Sequence, residues 1–267
     1  VRVRIIGAGR AGGSFAIALT HAGWPVEVWD RSRPVVAAAH ETDLVLIATP
    51  DHAIAEVSAA IEADERSIVA HLSGATPLAA LGTHSRRAAI HPLMTLPDPT
   101  TGAASLRDGW CAISGDASSL VAATDVVAAV GARSFVIAEE DRAIYHAAAC
   151  VASNHVVALL GQVERLAAAA GVPFAAFRPL VQASIDNAFT LGPRDALTGP
   201  AARGDWGTIE RHLHALLATE PIERAVYLAG VRAARLLAVG SDDTPRGLVG
   251  HGGTGAAPDG WPSAGQE

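Results

Sequence analysis

Apolar residues gather in short β-branched runs through the first half of the chain, each followed by an Ala-rich stretch with helical spacing. That alternation marks a mostly parallel sheet buried between helices, whose strands are apolar on both faces. The runs predict strands over Val1–Ile6, Val26–Trp29, Leu44–Ala48, Ile68–Leu72, Ala88–Ile90, Trp110–Ser114 and Ser134–Ala138. Between the fifth and sixth, Met94–Gly109 is rich in Pro, Thr and Gly, and predicts a long loop. From Glu139 the strand signal gives way to helical stretches over Asp141–Ala170, Pro173–Thr190, Asp205–Thr219 and Pro221–Val239. Gly171-Val172-Pro173 ends the first of these and restarts the second. The expected organisation is an α/β domain over residues 1–138 and an all-helical second domain over 139–240. Residues 241–267 are Gly, Pro, Ser and Asp with few apolar side chains, the composition of a disordered tail.

The first strand runs directly into Gly7-Ala8-Gly9-Arg10-Ala11-Gly12, and helical spacing follows at once. In such a strand–turn–helix the first Gly allows the tight turn and the second lets the backbone approach a pyrophosphate. The third lets the helix pack on the strand, and the helix N-terminus offers free N–H groups to the anion. Gly7, Gly9, Arg10, Ala11 and Gly12 are therefore candidate cofactor-binding residues, and the first domain reads as a Rossmann dinucleotide-binding domain. Asp30 ends the second strand, 18 residues after Gly12, near the interval expected for a ribose-binding carboxylate. Alone it favours NAD. Arg31, Ser32 and Arg33 follow it and suit a ribose 2′-phosphate, so NADP is the expected cofactor and NAD remains open. Thr49 and Pro50 lie just past the third strand, where open α/β sheets bind ligands, and are placed on the nicotinamide side.

Charge and composition narrow the chemistry. The formal net charge is −7 and all 20 basic residues are Arg, which excludes a Schiff-base lysine or an ammonium acid and argues against nucleic-acid binding. The two cysteines, Cys111 and Cys150, have no metal-ligand spacing, so neither a disulfide framework nor a metal site is expected. With no export leader and no uninterrupted apolar run of membrane-spanning length, a reducing cytoplasm is the expected location, without membrane partners.

Several segments together carry a family likeness: Ala48-Thr49-Pro50-Asp51, His71-Leu72-Ser73-Gly74, His91-Pro92-Leu93, Tyr145 through Asn154, and Leu197 through Asp205. On these, residues 1 to about 239 resemble Rossmann-like proteins whose helical C-terminal half is a domain of unknown function. More distantly the chain is similar to pyrroline-5-carboxylate reductase, ketopantoate reductase and the 6-phosphogluconate dehydrogenase-like superfamily. The resemblance implies a helical domain that pairs two copies into a homodimer, with substrate held in an interdomain cleft; it supplies no substrate. In the hydroxyacid dehydrogenases and ketopantoate reductases of that superfamily a Lys stands four residues before an Asn. If Asn154 is that Asn, Cys150 occupies the Lys position, and a thiol orients a carbonyl oxygen only weakly.

The expected function is an NAD(P)-dependent oxidoreductase, reducing a small carbonyl or imine acid by hydride transfer, with ketopantoate the first candidate. Residues 146, 150, 153 and 154 fall within one face of an α-helix, so His146, Ser153 and Asn154 form a polar stripe on an otherwise apolar helix. His146 or His91 would serve as proton donor to the receiving heteroatom. Asn154 would hold the substrate oxygen, Ser73 would bond substrate or nicotinamide amide, and Arg203 would pair with a substrate carboxylate. Each has a plainer reading: His146 as a structural histidine, His91 shaping the His-Pro turn, and Arg203-Gly204-Asp205 as a helix start capped by Asp205. His71 and His155 are read as structural. Two alternatives stay open: a non-catalytic NADP(H)-binding sensor or enzyme partner, which the missing Lys favours, and a reductase that takes hydride from a deazaflavin.

Overall fold

The computed structural model describes residues 1–239, so the expected tail over 241–267 lies outside the described residues. Seven strands form one sheet: β1 Val3–Ile6, β2 Val26–Trp29, β3 Leu44–Ile47, β4 Ile68–His71, β5 Arg87–Pro92, β6 Trp110–Gly115 and β7 Arg133–Val136. Their order is β2-β1-β3-β4-β5-β6-β7, and every pairing is parallel except β5 with β6. Because side chains alternate across a strand, the continuous run Leu44-Val45-Leu46-Ile47 feeds two cores. Leu44 and Leu46 join Val3, Ile5, Phe15, Leu19 and Ile90 on one face. Val45 and Ile47 join Ile6, Trp29, Ile54 and Leu81 on the other. The helices between strands are α1 Arg10–His21, α2 Ile54–Ala60, α3 Pro99–Leu106 and α4 Ala117–Ala129.

Helix α3 corrects the reading of Met94–Gly109 as a loop. Asp98 caps it by accepting from the N–H groups of Thr100 and Thr101, both at 2.9 Å, and Pro99 opens its first turn. Small residues carry its packing onto α1. A Cβ on Gly13 would meet Pro99 Cγ at 2.7 Å, and one on Gly102 would meet Ser14 Oγ at 2.1 Å. Pro, Thr and Gly here signal close helix approach rather than irregular chain, while Ala103 and Leu106 are buried.

By its contacts the chain divides into Val1–Val156 and Val157–Glu267, later than the boundary expected at residue 138. The first unit keeps the start of the long helix. That helix is α5 Arg142–Cys150, a π turn Val151–His155, and then α6 Val156–Ala169, rather than one regular helix from Asp141 to Ala170. The run Glu139–Ala169 is long and apolar enough to cross a membrane by length and composition alone, although His146, Ser153, Asn154 and His155 interrupt it.

The second unit adds α7 Arg178–Leu191, the single turns α8 Pro193–Ala196 and α9 Pro200–Arg203, then α10 Trp206–Thr219 and α11 Glu223–Val239. Its own core is small: Ala201, Ile209 and Val231 are buried, with Trp206, Leu213, Tyr227 and Ala234 packed against them. Gln162 donates to the Glu223 carbonyl at 3.0 Å, and Arg165 pairs with the Glu223 carboxylate, tying α6 to α11. Many large apolar side chains stay outside that core, Phe189 at 90% exposure and Ile222 at 79% among them.

Candidate active site

The glycine turn has the shape a pyrophosphate requires. Gly7 has φ +110°, and a Cβ there would stand 2.7 Å from the Ala48 carbonyl oxygen, so neither the backbone nor the space admits a side chain. A Cβ on Gly12 would lie 2.0 Å from the Gly7 oxygen and 2.9 Å from Ala48 Cβ, which is the tight passage of α1 over β1 and β3. At Gly9 a Cβ would meet nothing within 4 Å: the turn is open where an anion would approach. Gly9 caps α1 without a side-chain bond, leaving the first-turn N–H groups facing outward.

β1 and β3 are neighbours, yet the chain leaves them toward different helices, and their C-terminal ends frame a crevice. A cavity of about 720 Å³ opens there. It brings together Gly9, Arg10 and Ala11 from the turn, Thr49 and Pro50 from the end of β3, His91 from β5, and Ser153 and Asn154 from the π turn. Met94 through Pro97, leading into α3, form another wall. Thr49 Oγ1 is buried and has no protein partner, a polar atom placed for a ligand that would satisfy it. The open turn and this orphaned hydroxyl both fit a dinucleotide.

Of the two candidate histidines it is His91 that lines the cavity. Its Nδ1 lies 2.6 Å from the Tyr145 hydroxyl, and the two rings meet edge to face with centroids 5.6 Å apart. Burial, reinforced by neighbouring His146 and Arg142, pulls the His91 pKa down to about 4, so the ring is neutral at neutral pH. The neutral ring carries one proton, and a tyrosine hydroxyl that donates to Nδ1 leaves it on Nε2. His146 packs against His91 with ring centroids 6.0 Å apart, and its Nδ1 lies 3.8 Å from Cys150 Sγ. Gly74 makes room for both rings. A Cβ there would be 2.7 Å from His146 Cδ2 and 2.7 Å from His91 Cε1.

Behind these side chains stands an ion pair that the sequence reading missed. Arg142, only 3% exposed, donates to the Glu139 carboxylate and to Ser114 Oγ. Glu139 also accepts from the Ser114 hydroxyl at 3.0 Å and from Leu78 N–H at 2.9 Å. Together they pin the first turn of α5, which carries Tyr145 and His146, to β6 and to the segment after Gly74. The signal in the sequence was faint: Glu139-Glu140-Asp141-Arg142 reads as a solvated helix start, and Tyr145 as one of only two tyrosines.

Other expected site residues fall elsewhere. The Ser73 hydroxyl oxygen accepts from the N–H groups of Ala75 and Thr76 at 3.2 and 3.0 Å, so it shapes the turn after β4 and is not in the cavity wall. His71 is fully buried and its Nδ1 accepts from Ser73 N–H at 3.2 Å, the structural role expected of it. Ser32 and Arg33 are engaged within the protein. Asp30 accepts from Ser32 N–H at 2.9 Å and from its hydroxyl at 2.6 Å, and these bonds hold the carboxyl below its usual range. Arg33 pairs with Glu27 at 2.6 Å, while Arg31 is exposed. Arg203 ends α9 in the second unit, exposed, and Asp205 caps α10 by accepting from Thr208 N–H at 3.1 Å. Among the described residues no group of His, Cys, Asp or Glu is arranged to hold a metal ion.

Known structures share this architecture. A Bacteroides fragilis protein assigned as an NADP oxidoreductase is 20% identical, with TM-score 0.73 over 88% of this chain and 97% of its own. A Streptomyces aurantiacus imine reductase is 20% identical, with TM-score 0.65 over 89% and 96%. The Plasmodium falciparum pyrroline carboxylate reductase with NADP bound is 12% identical, with TM-score 0.57 over 89% and 98%. At these identities the likeness is one of fold. No curated protein matches the chain. Residues 2–83 match the NAD binding domain of 6-phosphogluconate dehydrogenase, and residues 109–233, which begin at β6 of the sheet and run into α11, match a domain of unknown function, DUF2520.

Proposed function

We propose that the protein is an NADP(H)-dependent reductase of a small carbonyl or imine acid, with ketopantoate the first substrate to assay. The observation that carries this reading is the single cavity in which an open glycine turn, an unpartnered buried Thr49 hydroxyl, a neutral His91 and the polar pair Ser153–Asn154 meet. Gly9, Arg10 and Ala11 would hold the pyrophosphate, and Thr49 and Pro50 would border the nicotinamide, which supplies the hydride when bound. Asn154 holds the substrate oxygen or nitrogen. His91 polarises that atom through its Nε2 proton, with Tyr145 fixing the tautomer at Nδ1. Because the ring is neutral, it acts as a hydrogen-bond donor rather than as an imidazolium. The rate is therefore not expected to follow His91 titration near neutrality, contrary to what an unperturbed histidine would give. His146 acts one step removed, by setting the position of the His91 ring.

Exposed apolar side chains along the long helix, Ile144 at 70% and Val157 at 66% among them, support a homodimer through the helical part of the chain. The assay is oxidation of NADPH against 2-oxo acids and cyclic imines. His91→Ala and Asn154→Ala should lose about 10²–10⁴-fold in turnover with little change in NADPH affinity. Nicotinamide binding without turnover across that panel would favour the sensor reading, and turnover with a reduced deazaflavin alone would favour the other donor.

A further inference from the structure

Two arginines share the carboxylate of Glu27, the second residue of β2: Arg4 from the neighbouring strand β1 and Arg33 from the segment after β2. Glu27 Oε2 accepts from Arg4 Nε and Nη2 at 3.1 and 3.0 Å, and Glu27 Oε1 accepts from Arg33 Nη1 at 2.6 Å. The two cations are not equivalent. Arg4, with a side chain 12% exposed, also donates Nη1 to the carbonyls of Ala37, Ala38 and His40, and lies 4.4 Å over the Trp29 ring. Every direction of its guanidinium is occupied, so it is a fixed counterion that already balances the Glu27 charge. Arg33 has a side chain 54% exposed and lies farther from Trp29, at 5.8 Å, so it is a second cation on an acid that is neutralised without it.

We propose that Glu27 is a specificity-determining residue for the dinucleotide. It holds Arg33 in reserve, a 2′-phosphate on the adenosine ribose takes Arg33 from it, and a 2′-hydroxyl leaves the pair closed. This rests on the dinucleotide-binding reading above. A phosphomonoester carries close to two charges at neutral pH and offers the paired oxygens that a guanidinium fork matches, whereas Glu27 offers one oxygen and a charge already shared with Arg4. The exchange therefore favours the phosphate, at the expense of the ion pair it breaks. An exposed pair of this kind is worth at most about fivefold in an equilibrium constant. The Ser32 hydroxyl is turned onto Asp30, which leaves Arg33 and the exposed Arg31 as the cations available to the phosphate.

The test is calorimetric titration of the full chain with NADPH, NADH and adenosine 2′,5′-bisphosphate. Glu27→Gln should tighten NADPH and the bisphosphate by about two- to fivefold and leave NADH unchanged. Arg33→Ala should weaken NADPH and the bisphosphate, again sparing NADH. In the Arg33→Ala background the gain from Glu27→Gln should vanish, because only that arginine is released. Glu27→Asp, one methylene shorter, keeps a charge beside Arg4 while loosening its hold on Arg33. It should move affinities in the same direction if Glu27→Gln does not fold. An NADPH-to-NADH ratio unchanged by either Glu27 variant, or a gain that persists without Arg33, overturns the assignment of Glu27 while dinucleotide binding stands. Failure of every dinucleotide to bind overturns both readings together.

Discussion

Replacing Gly74 by alanine perturbs the histidine pair without removing either ring. The added Cβ would stand 2.7 Å from His146 Cδ2, 2.7 Å from His91 Cε1 and 2.8 Å from His91 Nε2. Ordinary carbon contacts begin near 3.5 Å, so each ring must retreat by roughly 0.8 Å, and the His91 edge that must move is the one bearing Nε2. The Gly74 backbone is not in the left-handed region, so alanine costs nothing in φ and the effect is one of contact alone. Overpacking of this kind destabilises by about 1–3 kcal/mol. A displacement near 1 Å at a reacting group can cost about 10²-fold in rate. Gly74→Ala should therefore lower turnover about a hundredfold, with the melting temperature down by a few degrees and NADPH affinity nearly unchanged, since the glycine turn lies apart from Gly74. Steady-state turnover, thermal melting and cofactor titration measure the three quantities. Wild-type turnover in a folded Gly74→Ala protein would show that the position of His91 does not matter to the chemistry, and the role given to it would fall.

Stability should fall on mild acidification because His71 is held neutral, its pKa pulled to about 4, first by burial and then by Arg142. A histidine depressed in the folded state contributes stability that is complete above its unfolded value near 6.5 and is lost as pH falls from there toward 4; the loss is at most about 3 kcal/mol, and urea melts of His71→Gln should show a flatter profile in that window. Deleting Ala152 removes one residue from the π turn and should restore regular α-helix while leaving α6 in phase, so helicity by circular dichroism is kept and turnover falls as Ser153 and Asn154 leave the cavity wall. Retained turnover in that deletion would detach the π turn from the site.

The strand positions and the glycine turn were legible because both are written in local pattern. Short runs dominated by β-branched and aliphatic residues set β1, β3 and β4, and a Gly-rich turn between strand and helix has few other uses. The α3 helix was not legible, since its stabilisation comes from Gly13 and Gly102 letting two backbones approach, a fact about pairs of distant residues rather than composition. The same holds for Glu139 and Arg142: charges at a helix start are usually solvated, and only the approach of Ser114 and Leu78 makes these two a junction in which the arginine is buried. At Asp30–Arg33 the sequence showed residue types suited to a phosphate but not their partners within the protein. Glu27, six residues before Arg33 and on a strand, lies outside any motif that would have drawn attention to it.

The polar stripe expected on a regular helix is divided by the backbone: Ser153 and Asn154 line the cavity, while His146 packs behind His91. Spacings of three and four group 146, 150, 153 and 154 only if the helix is regular, yet Val151–His155 is a π turn. Across α5 the regular rule holds, and His146 Nδ1 reaches Cys150 Sγ. Beyond it the wider i→i+5 turn changes the angular step between residues, so the regular spacing rule does not carry over from Cys150 to Ser153 and Asn154. Nothing in Val151-Ala152-Ser153-Asn154-His155 forces this; there is no Pro or Gly, the usual local causes of a broken helix. The turn forgoes regular i→i+4 hydrogen bonds in the middle of a helix, a cost that persists when something nearby repays it. Here the return is the placement of Ser153 and Asn154 on the cavity that His91 and Thr49 also line, which makes an irregular backbone the means by which an apolar helix presents two polar residues to that cavity.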